Sequence, residues 1–363
     1  MARLLDLPDE LILSILSILV QDYAASQKLS TFNNWAREYE QTSTEAHQLA
    51  QQLYSLPLSC RRLANIVTSF LYRDVWLNRC CRGDCWKHPR LEQSTRSLRD
   101  NRNLGQFIVS VAVPCGKSIT SVLPLFWLPN IHTLTLFNFE DEKAPGFEDY
   151  SHEGTSPVKV LCLIECCAEE APLAAVLSWP QKLDELHYDV EQYEWSETRE
   201  AMTLRDWECD TLVRSLQPQK ESLQCLTFTR ASPEGDRLRS VRTVNLKNFV
   251  FLKTLRIYQV FLISHERFPL PWARLPRNLE VLEIYHDDTD DIFTPDHEED
   301  PYIIEIARHK EQYLPMLRKV TVGSWEDIYG DNGQEIPLGL WTPSTAVSAE
   351  FERAQIELTI FID

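Results

Sequence analysis

The chain has 363 residues, 44% of them hydrophobic, with a formal net charge of -18. That length suits two or three domains or one extended repeat array, and only 10 glycines make glycine-rich phosphate loops a poor expectation. The first 103 residues hold 13 Lys+Arg and 11 Asp+Glu, leaving 23 and 43 to the remainder, and so acidic a remainder lacks the clustered cations that nucleic-acid binding requires.

The first predicted element is a helix within "LLDLPDELILSILSILV". Pro8 suits a first helical turn, where its missing N–H costs nothing, and Asp9 and Glu10 follow where the helix dipole favours negative charge. Leu11, Ile12, Ile15, Leu16 and Leu19 form one stripe, and Leu13, Ile18 and Val20 extend the apolar surface to other faces. A helix apolar all round is normally covered on all sides. The run is too short to span a bilayer, which takes about 20 apolar residues. Asp6, Asp9 and Glu10 against a single Arg3 give the wrong sign for a secretory n-region. With ten irregularly spaced cysteines, this points to an intracellular protein, cytoplasmic or nuclear, with reduced thiols and no membrane association.

Residues 21–50 are polar and read as an insertion. Apolar periodicity returns in "LYSLPLSCRRLANIVTSFLYRDVWL", where Leu63, Ile66, Val67, Phe70 and Leu71 recur at helical spacing. From residue 104 the frame apolar-x-x-apolar-x-apolar occurs eight times. It runs Leu104/Phe107/Val109, Ile131/Leu134/Leu136, Val158/Leu161/Leu163, Leu183/Leu186/Tyr188, Leu223/Leu226/Phe228, Leu252/Leu255/Ile257, Leu279/Leu282/Ile284 and Leu317/Val320/Val322. Successive starts lie 27, 27, 25, 40, 29, 27 and 38 residues apart, and five of these seven fit the roughly 20–29-residue period of leucine-rich repeats. Each frame predicts a short strand facing a shared core, with the chain returning on the outer side. "IELTIFI" at 356–362 alternates like a strand and is expected to close the open edge.

"LPDELILSIL" and the later "LSCRRLANIVTSFLYRDVWL" together resemble an F-box. The Leu-Pro-x-Glu-Leu opening stands at Leu7, Pro8, Glu10 and Leu11, with Ile15 and Leu19 following. The later segment matches at Cys60, Arg61 or Arg62, and Leu63, and closes on Leu71, Tyr72 and Arg73. About thirty residues separate the halves where the family has a short connection. The chain from residue 104 onward resembles the degenerate leucine-rich repeats that accompany F-boxes in fungal proteins. Only Cys166 occupies the consensus Asn/Cys position.

The resemblance implies an α/β chain: an N-terminal helical F-box at 1–80, a linker at 81–103 and an irregular leucine-rich-repeat solenoid at 104–363. It implies a non-catalytic substrate receptor of a cullin–RING ubiquitin ligase. Leu7, Pro8, Leu11, Ile12, Ile15, Leu58, Cys60, Arg61, Leu63 and Tyr72 would contact a Skp-family adaptor and through it a cullin. Residues 59–103, with ten basic and four acidic side chains, would suit an acidic adaptor surface. The strand face would hold a protein substrate. Its exposed positions are expected to flank each central core residue, as Thr133/Thr135, Val160/Cys162, Glu185/His187, Cys225/Thr227, Thr254/Arg256, Val281/Glu283 and Lys319/Thr321. Aromatic and Arg side chains dominate binding energetics, so Phe137, His187, Arg256, Tyr258 and Tyr285 are the candidate substrate contacts. Ile164 shares their strand position but fits packing against neighbours as well.

Other chemistry is sparse. Cys80, Cys81, Cys85 and His88 could hold zinc but lack a clean C-x2-C pair, so no metal and no cofactor are expected. "PCGKS" at 114–118 has Val111 where a P-loop needs its first Gly. The acidic stretch 286–301 has no EF-hand register. No H-E-x-x-H, G-x-S-x-G or G-x-G-x-x-G occurs, so enzyme function finds no positive support. A non-ligase interaction scaffold and a metal-binding regulator are the alternatives.

Overall fold

The computed structural model describes residues 8–12, 14, 61–76, 102–115, 119, 122–139, 153–166, 168–190, 209–230, 243–262, 271–286, 301–324, 339–341 and 343–362. Its centre is one eleven-stranded sheet in the order β1-β2-β3-β4-β5-β6-β7-β8-β9-β11-β10. The strands are β1 (Asp74–Trp76), β2 (Ser110–Pro114), β3 (Thr133–Phe137), β4 (Val160–Cys166), β5 (Glu185–Val190), β6 (Cys225–Arg230), β7 (Thr254–Tyr258), β8 (Val281–His286), β9 (Lys319–Ser324), β10 (Gly339–Trp341) and β11 (Glu357–Ile362). Each of β1 to β8 pairs in parallel with the next strand in sequence, and β9 pairs in parallel with β11. Among the described strands only β10 runs antiparallel, along the outer side of β11.

The register explains the repeated frame. The middle residues align as Val111, Leu134, Leu161, Leu186, Leu226, Leu255, Leu282 and Val320 across β2 to β9. The third residues align as Val113, Leu136, Leu163, Tyr188, Phe228, Ile257, Ile284 and Val322. All sixteen are buried, in one cluster with Leu173 and Val176 of helix Glu170–Ser178, Ile303 and Ile306 of helix Pro301–Arg308, and Phe351 of helix Thr345–Arg353. Helices and turns therefore cover this face. Full burial of one such side chain is worth about 1.5–3 kcal/mol.

Three expectations are corrected. The largest is the fold class: the chain is α/β, but among the described residues no N-terminal helical F-box stands apart from a following solenoid. Helix Arg61–Leu71 leads, after Tyr72 and Arg73, into β1, which belongs to the same sheet as every later strand. The Arg73 carbonyl accepts from Val109 N at 2.8 Å and Ser110 N at 3.0 Å. An unpaired edge of β2 would leave a row of backbone groups open, and Asp74–Trp76 satisfies it. The returning segments also follow no fixed unit, being 3-10 turns at Leu123–Trp127 and Pro271–Arg274 and α-helices at Glu170–Ser178 and Pro301–Arg308.

The first frame lies four residues later than its spacing indicates. Leu104 belongs to the short helix Arg102–Gly105, and Phe107 N closes a turn on the Leu104 carbonyl at 3.0 Å. The working frame is Ile108/Val111/Val113, all three buried. Finally, the strand at 357–362 does not close the array; it pairs on both sides, and β10 takes the edge.

Loops are clamped to the sheet by buried polar side chains. Gln219 donates to the carbonyls of Leu177 and Pro180, both at 2.9 Å, and accepts from Leu183 N at 2.9 Å. The Ser222 hydroxyl donates to the same Gln219 oxygen at 2.8 Å. An unmade buried hydrogen bond costs about 1–3 kcal/mol, so Gln219→Leu, which abandons four, should destabilise more than a single lost bond. Leu226→Ala, in the central ladder, should cost about 2–5 kcal/mol through lost burial and a cavity. Urea unfolding with an unchanged m-value checks both.

Candidate functional site

Two surfaces carry the candidate residues: the sheet face opposite the main core, and the junction of the N-terminal segments.

On the opposite face, alternation sets a middle row of Ala112, Thr135, Cys162, His187, Thr227, Arg256, Glu283 and Thr321, aligned in register across β2 to β9. At one end Ala112, Phe137, Cys162 and Ile164 form a second, small buried cluster with Val160 against it. In the centre His187 Nε2 donates to Glu185 Oε1 at 2.6 Å. That hydrogen bond holds the Glu185 carboxyl below its ordinary range, against the opposing effect of burial. At the other end Arg256 Nε donates to Glu283 Oε2 at 2.9 Å, and the Tyr285 hydroxyl donates to the same oxygen at 3.0 Å.

This face is more closed than the sequence implies. Thr135, Cys162, His187, Thr227 and Thr321, expected to be open, are buried. Phe137 lies in the small cluster, and Tyr258 and Tyr285 are buried beside one another at a 6.5 Å ring separation. Tyr285 also meets Phe361 edge-on at 6.1 Å. Gly323, the register partner of both, permits this: a Cβ there would come within 2.5 Å of the Phe361 ring. Of the five candidate substrate contacts, only Arg256 is not fully buried, and its guanidinium is already paired.

The thiols on this face are held in the protonated form. Burial pushes Cys162 up to about 12, and burial followed by the Glu185 charge does the same for Cys225. Both are protonated at neutral pH, and the thiolate is the reactive form. Among the described residues no group of three or more His, Cys, Asp or Glu could hold a metal ion, and no helix is long and apolar enough to cross a membrane. Cys80, Cys81, Cys85 and His88 lie outside the described residues, as does most of the acidic stretch 286–301.

At the N-terminal junction residues 9–12 and 14 are helical, and Arg62 of helix Arg61–Leu71 donates from Nε to Asp9 Oδ1 at 2.6 Å. Segments 53 residues apart thus meet. Ile12 is 2% exposed and Leu63 is buried, while Leu11 beside Ile12 is 51% exposed. Pro8, Arg61 and Tyr72 are exposed as well. Leu7, Ile15, Leu58 and Cys60 lie outside the described residues. The Arg62–Asp9 pair itself is not legible in the sequence, where Arg61 and Arg62 are equivalent candidates. Exposed as it is, the pair positions the segments more than it stabilises them.

The chain matches no family model and no curated protein.

Two measurements test these contacts. Gly323→Ala should destabilise by about 1–3 kcal/mol through overpacking, and by clearly less in a Phe361→Ala background, because contacting residues couple. His286 is buried and its imidazole is pushed down from 6.5 to about 3 by burial. The unfolded chain therefore binds a proton that the folded chain refuses between these values. Stability is full above about 6.5 and falls with pH, by about 2 kcal/mol at pH 5. Urea midpoints taken from pH 7 to 5 should drop less for His286→Gln than for the unmodified chain.

Proposed function

We propose that the protein is a substrate receptor of an SCF-type cullin–RING ubiquitin ligase, acting in the cytoplasm or nucleus. Its segments resembling an F-box dock on a Skp-family adaptor, and its strand-bearing body holds a protein substrate. The docking unit in this proposal is the pair of sequence segments, not a separate helical domain.

One observation carries the reading. Asp9 of the Leu-Pro-x-Glu-Leu segment is held by Arg62 of the Cys-Arg-x-Leu segment, and beside it Leu11 stands half in solvent while Ile12 is sealed. An exposed leucine on a held turn, with exposed Tyr72 on the connected helix end, is the kind of anchor that a partner desolvates. The receptor performs no chemistry; it raises the local concentration of substrate lysines near the conjugating enzyme.

Co-expression with a Skp-family adaptor should yield a complex that survives size-exclusion chromatography. Leu11→Asp should weaken that complex by about ten-fold or more, as loss of an interface anchor does, while leaving the thermal midpoint of the free chain unchanged. Failure of the adaptor to co-purify would sink the proposal. Adaptor binding without cullin co-precipitation would instead mark an interaction scaffold outside any ligase.

A further inference from the structure

Five large hydrophobic side chains are exposed among the described residues: Leu11, Tyr72, Val250, Phe251 and Met316. The first two belong to the N-terminal junction. The other three lie at the same end of neighbouring strands. Val250 and Phe251 lie in the turn before β7, and Met316 lies in the turn before β9. Strands β7, β8 and β9 are consecutive neighbours running the same way, so their preceding turns sit side by side. Phe251 and Met316 are about 10 Å apart across the sheet, two strand spacings.

These side chains are held outward. Phe249 and Leu252 on either side of Val250 and Phe251 already fill the interior, as Leu314 and Leu317 do around Met316. Leu252 N closes its turn on the Phe249 carbonyl at 3.0 Å, and Leu317 N on the Leu314 carbonyl at 2.9 Å. Asn278, in the turn before β8, donates from Nδ2 to the Val250 carbonyl at 2.7 Å and ties two of the turns together. Val250 is 50%, Phe251 52% and Met316 56% exposed. Single exposed apolar residues are ordinary, whereas a fixed cluster of them marks an interaction site.

The surrounding charge says what fits. Lys253, Arg277 and Arg318 are exposed around the three apolar side chains. Within the turns before β7, β8 and β9 Glu280 is the one carboxylate, 2.8 Å from Arg318 and 4.0 Å from Lys253; Glu221 and Glu357 stand one strand further out on either side. Three cations against one anion favour an acidic partner. The strip is about as wide as one extended segment or one helix. That width suits a single peptide segment better than a lipid surface, which would engage a broader face.

We propose that this edge docks an acidic protein segment carrying apolar anchor side chains. The binding rests on the edge alone; that the segment belongs to a ligase substrate rests on the proposed receptor function.

The test is fluorescence anisotropy on the full chain with three labelled peptides of about 16 residues, long enough to cross the strip. One is Glu- and Ser-rich with a central Phe-Leu pair, one has Ser for that pair, and one has Lys for every Glu. Only the first should bind well, more weakly at high salt because screening weakens exposed charge pairs. Phe251→Ser with Met316→Ser, and separately Arg277→Glu with Arg318→Glu, should each weaken it by about ten-fold or more. Circular dichroism checks that both variants fold. Equal binding by both variants, or by the Lys peptide, would overturn the proposal. So would loss in both variants of an association with phosphatidylserine vesicles or with a second copy, when the first peptide does not bind. Adaptor co-purification, which uses Leu11 at the other end of the chain, should be unchanged in both variants, so the two proposals fail separately.

Discussion

Everything in this molecule depends on the parallel backbone ladder that joins each strand to the next. A strand of five or six residues cannot bury its own apolar face, and an open edge leaves backbone donors and acceptors unpaired. From β1 to β9 the next stretch of chain supplies the partner. The carbonyl of the residue before each strand repeatedly accepts two successive N–H groups from the next one. His132 O takes Lys159 N and Val160 N, Lys159 O takes Asp184 N and Glu185 N, and Lys253 O takes Glu280 N and Val281 N. This fixes the register, and with it the face on which every side chain falls.

Fixed register gives the two faces different chemistry. One carries the stacked apolar rows and receives the helices and turns. The other carries Thr, Cys, His, Glu and Arg, and its charged groups meet partners on the same face: His187 with Glu185, and Arg256 and Tyr285 with Glu283. Its charged groups are thus paired within the face, and burial keeps its thiols protonated. Among the described residues the large apolar side chains left open lie elsewhere, at Leu11, at Tyr72 and at the turns before β7 and β9.

Much of the strand pattern was legible in the sequence. Seven of the eight frames coincide with strands because a repeated apolar spacing reflects burial, and burial on a shared core is what aligns them. The eighth slipped because Leu104, Phe107 and Ile108 offer two overlapping frames, and spacing cannot choose between them. The short helix Arg102–Gly105 decides for Ile108. The candidate contacts were less legible. Tyr258 and Tyr285 look like exposed aromatics by strand position, yet neighbouring rings bury them. That arrangement needs Gly323, the register partner of Tyr285 on the next strand, to make room for Phe361.

The sequence by itself determined the local quantities: which residues are apolar, where strands recur, and that the acidic excess lies beyond residue 103. These follow from side-chain chemistry at short range. Tertiary structure alone decided that helix Arg61–Leu71 and β1 continue the same sheet rather than form a separate helical unit. It alone brought Arg62 to Asp9, buried most of the candidate contacts on the strand face, and set Val250, Phe251 and Met316 at the same end of neighbouring strands. Those outcomes depend on which distant segments pair and in what register, and no local pattern of residues carries that information.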